Sequence, residues 1–168
     1  MFLDEMGVLL GLMRTHARSL QGERAYDFKP FYRGKRITVM GAISHNCCLA
    51  MKTIDKGMNG SDFQQFLREE LAPKLWSGAV VVMDNLPAHK VKGVSKIIED
   101  AGASVVYLSP YSPEFNPIEH LWSQLKSFLR KFSPKTQDSV AQLLDLAIML
   151  SHPEHFRNWF AHCCYCTN

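Results

Sequence analysis

The sequence predicts an α/β protein, a mixed central sheet flanked by helices, with a helical extension at its C-terminus. Three observations predict it. Two strand-like segments come early and are separated by only a short turn, as an antiparallel pair requires. Two short apolar runs, at 79–84 and 104–108, then alternate with segments of helical period, the pattern of strands covered by helices on both faces. From 116 onward apolar residues recur only at helical spacing.

In chain order, MFLD opens as a strand stub. ITVMGAIS (37–44) and CLAMKTI (48–54) read as two strands joined by a turn at His45-Asn46. Ser61 with Gln64 has the spacing of a capping box, and Phe63, Phe66, Leu67, Leu71 and Leu75 follow at helical spacing until Pro73 kinks or ends the helix. After the strand at 79–84, Val91, Val94, Ile97, Ile98 and Ala101 form one face of a helix stopped by Gly102. SVVYL (104–108) is a short buried strand, and SPYSPEFNP a loop stiffened by three prolines. A helix capped by Asn116, with Pro117 in its first turn, carries Ile118, Leu121, Trp122, Leu125, Phe128, Leu129 and Phe132. Pro134 separates it from a helix through Val140, Leu143, Leu144, Ala147 and Ile148, and Phe156, Trp159 and Phe160 mark a short amphipathic tail.

At 168 residues the chain is long enough for one domain with a real core, and 46% hydrophobic with 21% charged residues is ordinary for a globular protein. No apolar run approaches the roughly 20 residues that span a bilayer. The N-terminal apolar patch is flanked by acidic residues where a signal peptide needs basic ones, so a cytoplasmic location is expected. Net charge is only +3, but its placement is uneven. From Arg14 to Arg36, seven basic residues face two acidic ones, with Tyr26, Phe28, Phe31 and Tyr32 interleaved. Such a mixture suits a phosphate backbone, and Arg33, Lys35 and Arg36 are its densest part; a solvated basic loop accounts for it equally. Five cysteines, an odd number, fit reduced thiols. His162-Cys163-Cys164-x-Cys166 lacks the paired spacing of a structural zinc site.

Three carboxylates stand out. Asp84 ends a buried strand, where α/β sheets place ligand chemistry, though Asp-Asn-x-Pro is also good turn chemistry. Glu119 falls in the first turn of its helix, where capping and the helix dipole would explain it without any reaction. Asp4 follows Phe2-Leu3 in the first strand, and alternation sends Glu5 to the opposite face, so that only one of the two is expected in a given site. Singly each is ambiguous. Together, two strand-borne aspartates and one helix-borne glutamate form a hard oxygen donor set suited to magnesium or manganese. Two such ions, roughly 3.5 to 4 Å apart, activate a water and stabilise the leaving oxygen of a phosphodiester.

Around them, Asn85 and Asn116 are candidates for orienting ligands or ordering loops, and His89 for approaching a phosphate or serving as a hydrogen-bonded structural histidine. His120 points elsewhere on its helix. Lys126, seven residues past Glu119, returns to nearly the same helical face, and with Lys90 and Arg130 it would hold a phosphate backbone; a solvated lysine accounts for any one of them.

FLDEMG (2–7), VMDNLPAHK (82–90) and YLSPYSPEFNPIEHLWSQLK (107–126), with 34 residues between Asp84 and Glu119, carry a resemblance to a known family. The chain resembles the catalytic domain of DDE transposases, in the bacterial insertion-sequence branch of the Tc/mariner superfamily. The resemblance implies a ribonuclease-H-like fold, with residues 1–132 as the catalytic core and 133–168 as a helical extension of the same domain. It implies a triad of Asp4, Asp84 and Glu119 holding two Mg2+ or Mn2+ ions, with Asp4 bridging both. The reaction implied is hydrolysis at transposon ends, then attack of the freed 3′-hydroxyl on target DNA. The implied partners are transposon-end and target DNA and a second copy in the active complex, in a bacterial, nucleoid-associated setting.

Relatives of this kind carry an N-terminal helix-turn-helix region, and none is expected here, since Asp4 lies three residues from the start. The chain is then expected to be either the second frame of a frameshifted element or a remnant that only binds partners. Its DNA binding is expected to be weak, salt-sensitive and without sequence preference. A ribonuclease-H-fold nuclease without strand transfer shares the triad and remains the alternative enzyme.

Overall fold

A computed structural model describes residues 1–28 and 35–165. Five strands form one sheet: β1 (Phe2–Leu9), β2 (Arg36–Ile43), β3 (Cys48–Ile54), β4 (Val80–Met83) and β5 (Ser104–Tyr107). The spatial order is β3-β2-β1-β4-β5. β1, β2 and β3 are antiparallel neighbours, whereas β4 lies parallel to β1 and β5 parallel to β4. The sheet is therefore mixed, as the sequence predicts. β1 is the strand at which the two halves meet.

The first strand is longer than a stub. β1 pairs with β2 along all eight residues, from Phe2 opposite Ile43 to Leu9 opposite Arg36. The polar pair Asp4-Glu5 and Gly7 hide this run in the sequence, but alternation within it is regular. Phe2, Met6 and Val8 join one core and Leu3 the other.

On the first face pack α3 (Ile118–Phe132), α4 (Gln137–Met149) and α5 (Pro153–His162), which contribute Leu121, Trp122, Leu125, Leu129, Val140, Leu144, Phe156 and Phe160. The helices after Phe132 thus share their core with the strands. Phe2 meets the Phe160 ring edge-on, with centroids 5.3 Å apart, and the Tyr165 ring at 4.8 Å. On the second face α1 (Gly60–Phe66) continues into a π-helical turn at Leu67–Leu71, and with α2 (Val94–Asp100) it buries Phe63, Phe66, Leu67, Leu71, Val94 and Ile98.

Two helix starts differ from expectation. Asn59, rather than Ser61, caps α1: its side chain accepts from the Asp62 amide, and Asp62 reaches back to the Asn59 amide. The box is the same device, set two residues earlier. α3 has no side-chain cap, because Asn116 is turned inward to another partner. Pro73 lies in a last 3-10 turn, Ala72–Lys74, where the helical segment ends. No helix among the described residues is long and apolar enough to cross a membrane.

Candidate active site

The parallel pairing of β1 with β4, Leu3 opposite Met83, brings the next residue of each chain segment, Asp4 and Asp84, side by side. β4 ends at Met83, so Asp84 stands at its C-terminal edge, where the chain leaves the sheet. Glu119, in the first turn of α3, comes over the same edge. The three acids line one open cleft of about 570 Å³ with Glu5, Asn85, Asn116 and the loop 108–113. That volume is in the range of ligand pockets.

Each acid is held differently. Asp4 is buried, and its Oδ2 accepts from Asn116 Nδ2 and from Trp122 Nε1, both at 3.2 Å. Its Oδ1 accepts from the Glu5 amide at 2.7 Å. Burial, followed by the charges of Glu5, Glu119 and Asp84, pushes its pKa up to about 7, the backbone hydrogen bond opposing. The residue opposite Asp4 on β2 is Gly41, where a Cβ would stand 2.5 Å from Trp122 Cη2. A glycine is required there for the indole to reach the carboxylate.

Asp84 Oδ1 accepts from the Leu86 amide at 3.0 Å and lies 2.6 Å from His89 Nδ1. Burial alone would raise its pKa, but His89 and the Leu86 amide outweigh that and hold it below the usual value. His89 is fully buried, and its Nε2 donates to Glu5 Oε2 at 3.1 Å. Burial disfavours charge on this ring, yet the hydrogen bonds to Asp84 and Glu5 prevail and raise its pKa to about 9. Glu119 is exposed, and its side chain makes no hydrogen bond or ion pair among the described residues; its amide donates to the Asn116 carbonyl at 3.1 Å.

Two sequence-based readings change here. Alternation does send Asp4 and Glu5 to opposite faces, but both line the cleft, because it opens past the end of β4 and is reached from either side of the sheet. Glu5 thus lines the cleft beside Asp4 and contacts His89, 84 positions away. Asn116 is not a cap: it is the buried partner of Asp4. The core assignment of Trp122 holds, but its Nε1 also serves the site.

The auxiliary residues divide. Asn85 Nδ2 donates to the Leu108 carbonyl and so ties the β4 exit to the loop after β5. Lys90 is exposed, with its Nζ 5.4 Å from the Tyr107 ring centroid. Lys126 and Arg130 lie further along α3, and neither lines the cleft. Lys35 pairs with Asp55 at 2.6 Å. The Arg36 backbone is opposite Leu9, but its guanidinium folds back over Gly7, three residues along β1 from Asp4 and hence about 10 Å away. Arg33 lies outside the described residues. His120 faces the groove between α3 and α5 and meets His162 edge-on at 4.9 Å.

The donor chemistry of the cleft suits a hard cation. All three acids offer oxygen, burial and then the neighbouring acids raise the pKa of Asp4 to about 7, and Asn116 Oδ1 is a buried acceptor with no partner among the described residues. The side chains line the cleft without closing on a point: among the described residues no three His, Cys, Asp or Glu converge as a ready ligand set. That holds for the C-terminal thiols too; Cys47, Cys48, Cys163 and Cys164 are free, and Cys166 lies outside the described residues.

A family model described as DDE superfamily endonuclease matches residues 1–141. The chain belongs to the DDE superfamily endonucleases. No match was found among curated proteins. Among solved structures, this DDE endonuclease chain is similar to Mos1 transposase in a paired-end complex with the left transposon end, with a TM-score of 0.78 and 18% identity over 96% of this chain and 51% of that one. It is also similar to the mariner Mos1 paired-end complex with Mg, at TM-score 0.76 and 18% identity, covering 96% and 51%. The catalytic domain of Mos1 mariner transposase gives a TM-score of 0.67 and 16% identity, covering 96% and 76%. These likenesses show the ribonuclease-H-like fold. The DDE endonuclease chain spans about half the length of the full Mos1 chains it matches.

Proposed function

We propose that the chain is the catalytic domain of a transposase of the bacterial insertion-sequence branch, cleaving DNA at transposon ends and joining the freed 3′-hydroxyl to target DNA. The observation that carries this reading is that Asp4, Asp84 and Glu119 line one cleft at the edge of β4, in a chain of the DDE endonuclease family. Solved Mos1 structures with Mg and with Mn support the choice of cation.

Asp4, Asp84 and Glu119 would hold two Mg2+ or Mn2+ ions, which supply Lewis-acid charge at the scissile phosphate. Trp122 and Asn116 fix the Asp4 carboxylate in place, and His89 fixes one oxygen of Asp84. Glu119, free of partners, is able to swing as the cleft fills. The proton on Asp4 must leave before a cation enters, so binding weakens as pH falls below about 7. Asn85 ties the β4 exit to the loop 108–113, which lines the cleft. Lys90, Lys126, Arg130, Lys35 and Arg36 are assigned to DNA backbone contacts outside the cleft, and Arg33, which lies outside the described residues, to DNA contact from its sequence alone. The working complex is proposed to be a dimer assembled on DNA.

Manganese calorimetry on the wild type, Asp84→Asn and Glu119→Gln tests the site. Binding by the wild type that both variants lose supports it, and equal heats in all three overturn it. A strand-transfer assay with a pre-cut transposon end then separates a transposase, which joins ends, from a nuclease, which only hydrolyses.

A further inference from the structure

His89 is unusual among the buried residues. It has no exposed surface, stacks against Phe63 with ring centroids 4.4 Å apart, and yet presents both ring nitrogens to carboxylates from different parts of the sheet. Nδ1 lies 2.6 Å from Asp84 Oδ1, and Nε2 donates to Glu5 Oε2 at 3.1 Å. Ionised carboxylates only accept, so each ring nitrogen is a donor. Filling this apolar space would be cheaper with an apolar side chain, and neither the core nor the triad accounts for the pairing.

The geometry points to a role: we propose that Glu5 and His89 are positioning residues for Asp84, locking its carboxylate so that one oxygen faces the cleft. This rests on the reading of Asp84 as a cation ligand. Oδ1 takes both local donors, the His89 ring and the Leu86 amide, whereas Oδ2 has no hydrogen bond among the described residues and is left for the cleft. The turn bearing His89 is itself anchored, since Tyr107 Oη donates to the His89 carbonyl at 3.1 Å and the His89 amide donates to the Leu86 carbonyl at 3.0 Å. Glu5 completes the chain from the second face of β1. It grips the far nitrogen and sets the ring's orientation, as outer partners of metal ligands do.

The test is manganese titration by calorimetry at fixed pH, on folded protein well below its melting temperature. Wild type, Asp84→Asn, Glu5→Gln, His89→Gln and Tyr107→Phe are compared, with circular dichroism to confirm the fold. Positioning predicts about 10-fold weaker binding for both Glu5→Gln and His89→Gln, with Tyr107→Phe close to wild type. Charge alone predicts opposite signs, weaker binding without Glu5 and tighter binding without the His89 ring. Wild-type affinity in folded Glu5→Gln and His89→Gln, with loss in Asp84→Asn, overturns the positioning role and leaves the cation site standing. An equal loss in Tyr107→Phe also overturns it, since a loosened turn would then suffice. Equal binding by wild type and Asp84→Asn removes the cation site and this role together. If His89→Gln fails to fold, His89→Leu takes its place, since an apolar side chain suits that space: weaker binding supports positioning and tighter binding overturns it.

Discussion

Trp122 reaches Asp4 through a gap left by Gly41: the indole nitrogen donates to Asp4 Oδ2 at 3.2 Å, and a Cβ at residue 41 would stand 2.5 Å from the ring. Gly41→Ala should displace a fully buried ring and cost about 1–3 kcal/mol. Urea denaturation of the two proteins measures this, and an unchanged midpoint would show that the ring has room to spare.

Glu119 and Asp4 should separate stability from cation binding. Glu119 is exposed and unpartnered, so Glu119→Gln should change metal-free stability by less than about 0.5 kcal/mol while abolishing binding. Asp4 is buried among three acids, so Asp4→Asn should stabilise the metal-free protein above pH 7 by roughly 1–3 kcal/mol. Thermal melts with and without Mn2+ check both, and destabilisation by Asp4→Asn would contradict a carboxylate charge disfavoured by burial and by its acidic neighbours.

Asp4 also sets a pH dependence. Its folded pKa, about 7, lies above its unfolded value near 4, so the folded state holds more protons between these limits. Metal-free stability should therefore fall as pH rises from about 4 to 7. His89, raised to about 9, contributes stability that is full below about 6.5 and is lost as pH rises through 9. Asp84 acts oppositely: its lowered pKa contributes stability above the unfolded value, lost as pH falls. Melting temperatures across pH 4–10 should show the first decline vanish in Asp4→Asn.

Asn85→Ala removes the tie from the β4 exit to Leu108. We expect a loss of about 1 kcal/mol and faster amide exchange in the loop 109–113, read by hydrogen exchange. Exchange unchanged in that loop would mean that its prolines alone hold it.

The sequence was most legible where periodicity is strong. The strand Cys48–Ile54 and the face of α3 are found as expected. Residues that serve distant partners were not. Asn116 looks like a cap from its neighbours, but its partner is 112 positions away. Glu5 and His89 join across 84 positions, and local spacing carries no trace of such a pair. β1 was underestimated because a polar pair and a glycine interrupt an apolar run, although its alternation continues through them. Asp84 and Glu119 were legible as candidates because each sits at the end or start of an element, and Asp4 because a carboxylate interrupts an apolar strand.

The unbroken eight-pair ladder of β1 on β2 also acts as an alignment key. Sliding β2 by two residues would keep every side chain on its proper face, so the apolar pattern alone does not forbid it. It would, however, place Val39 or Ile43 opposite Asp4, where the indole ring now stands. Only one register opens a notch for Trp122, and in that register the carboxylate meets its two donors. A single residue without a side chain thus discriminates between pairings that hydrophobic burial would accept alike, at the spot where the cleft is built.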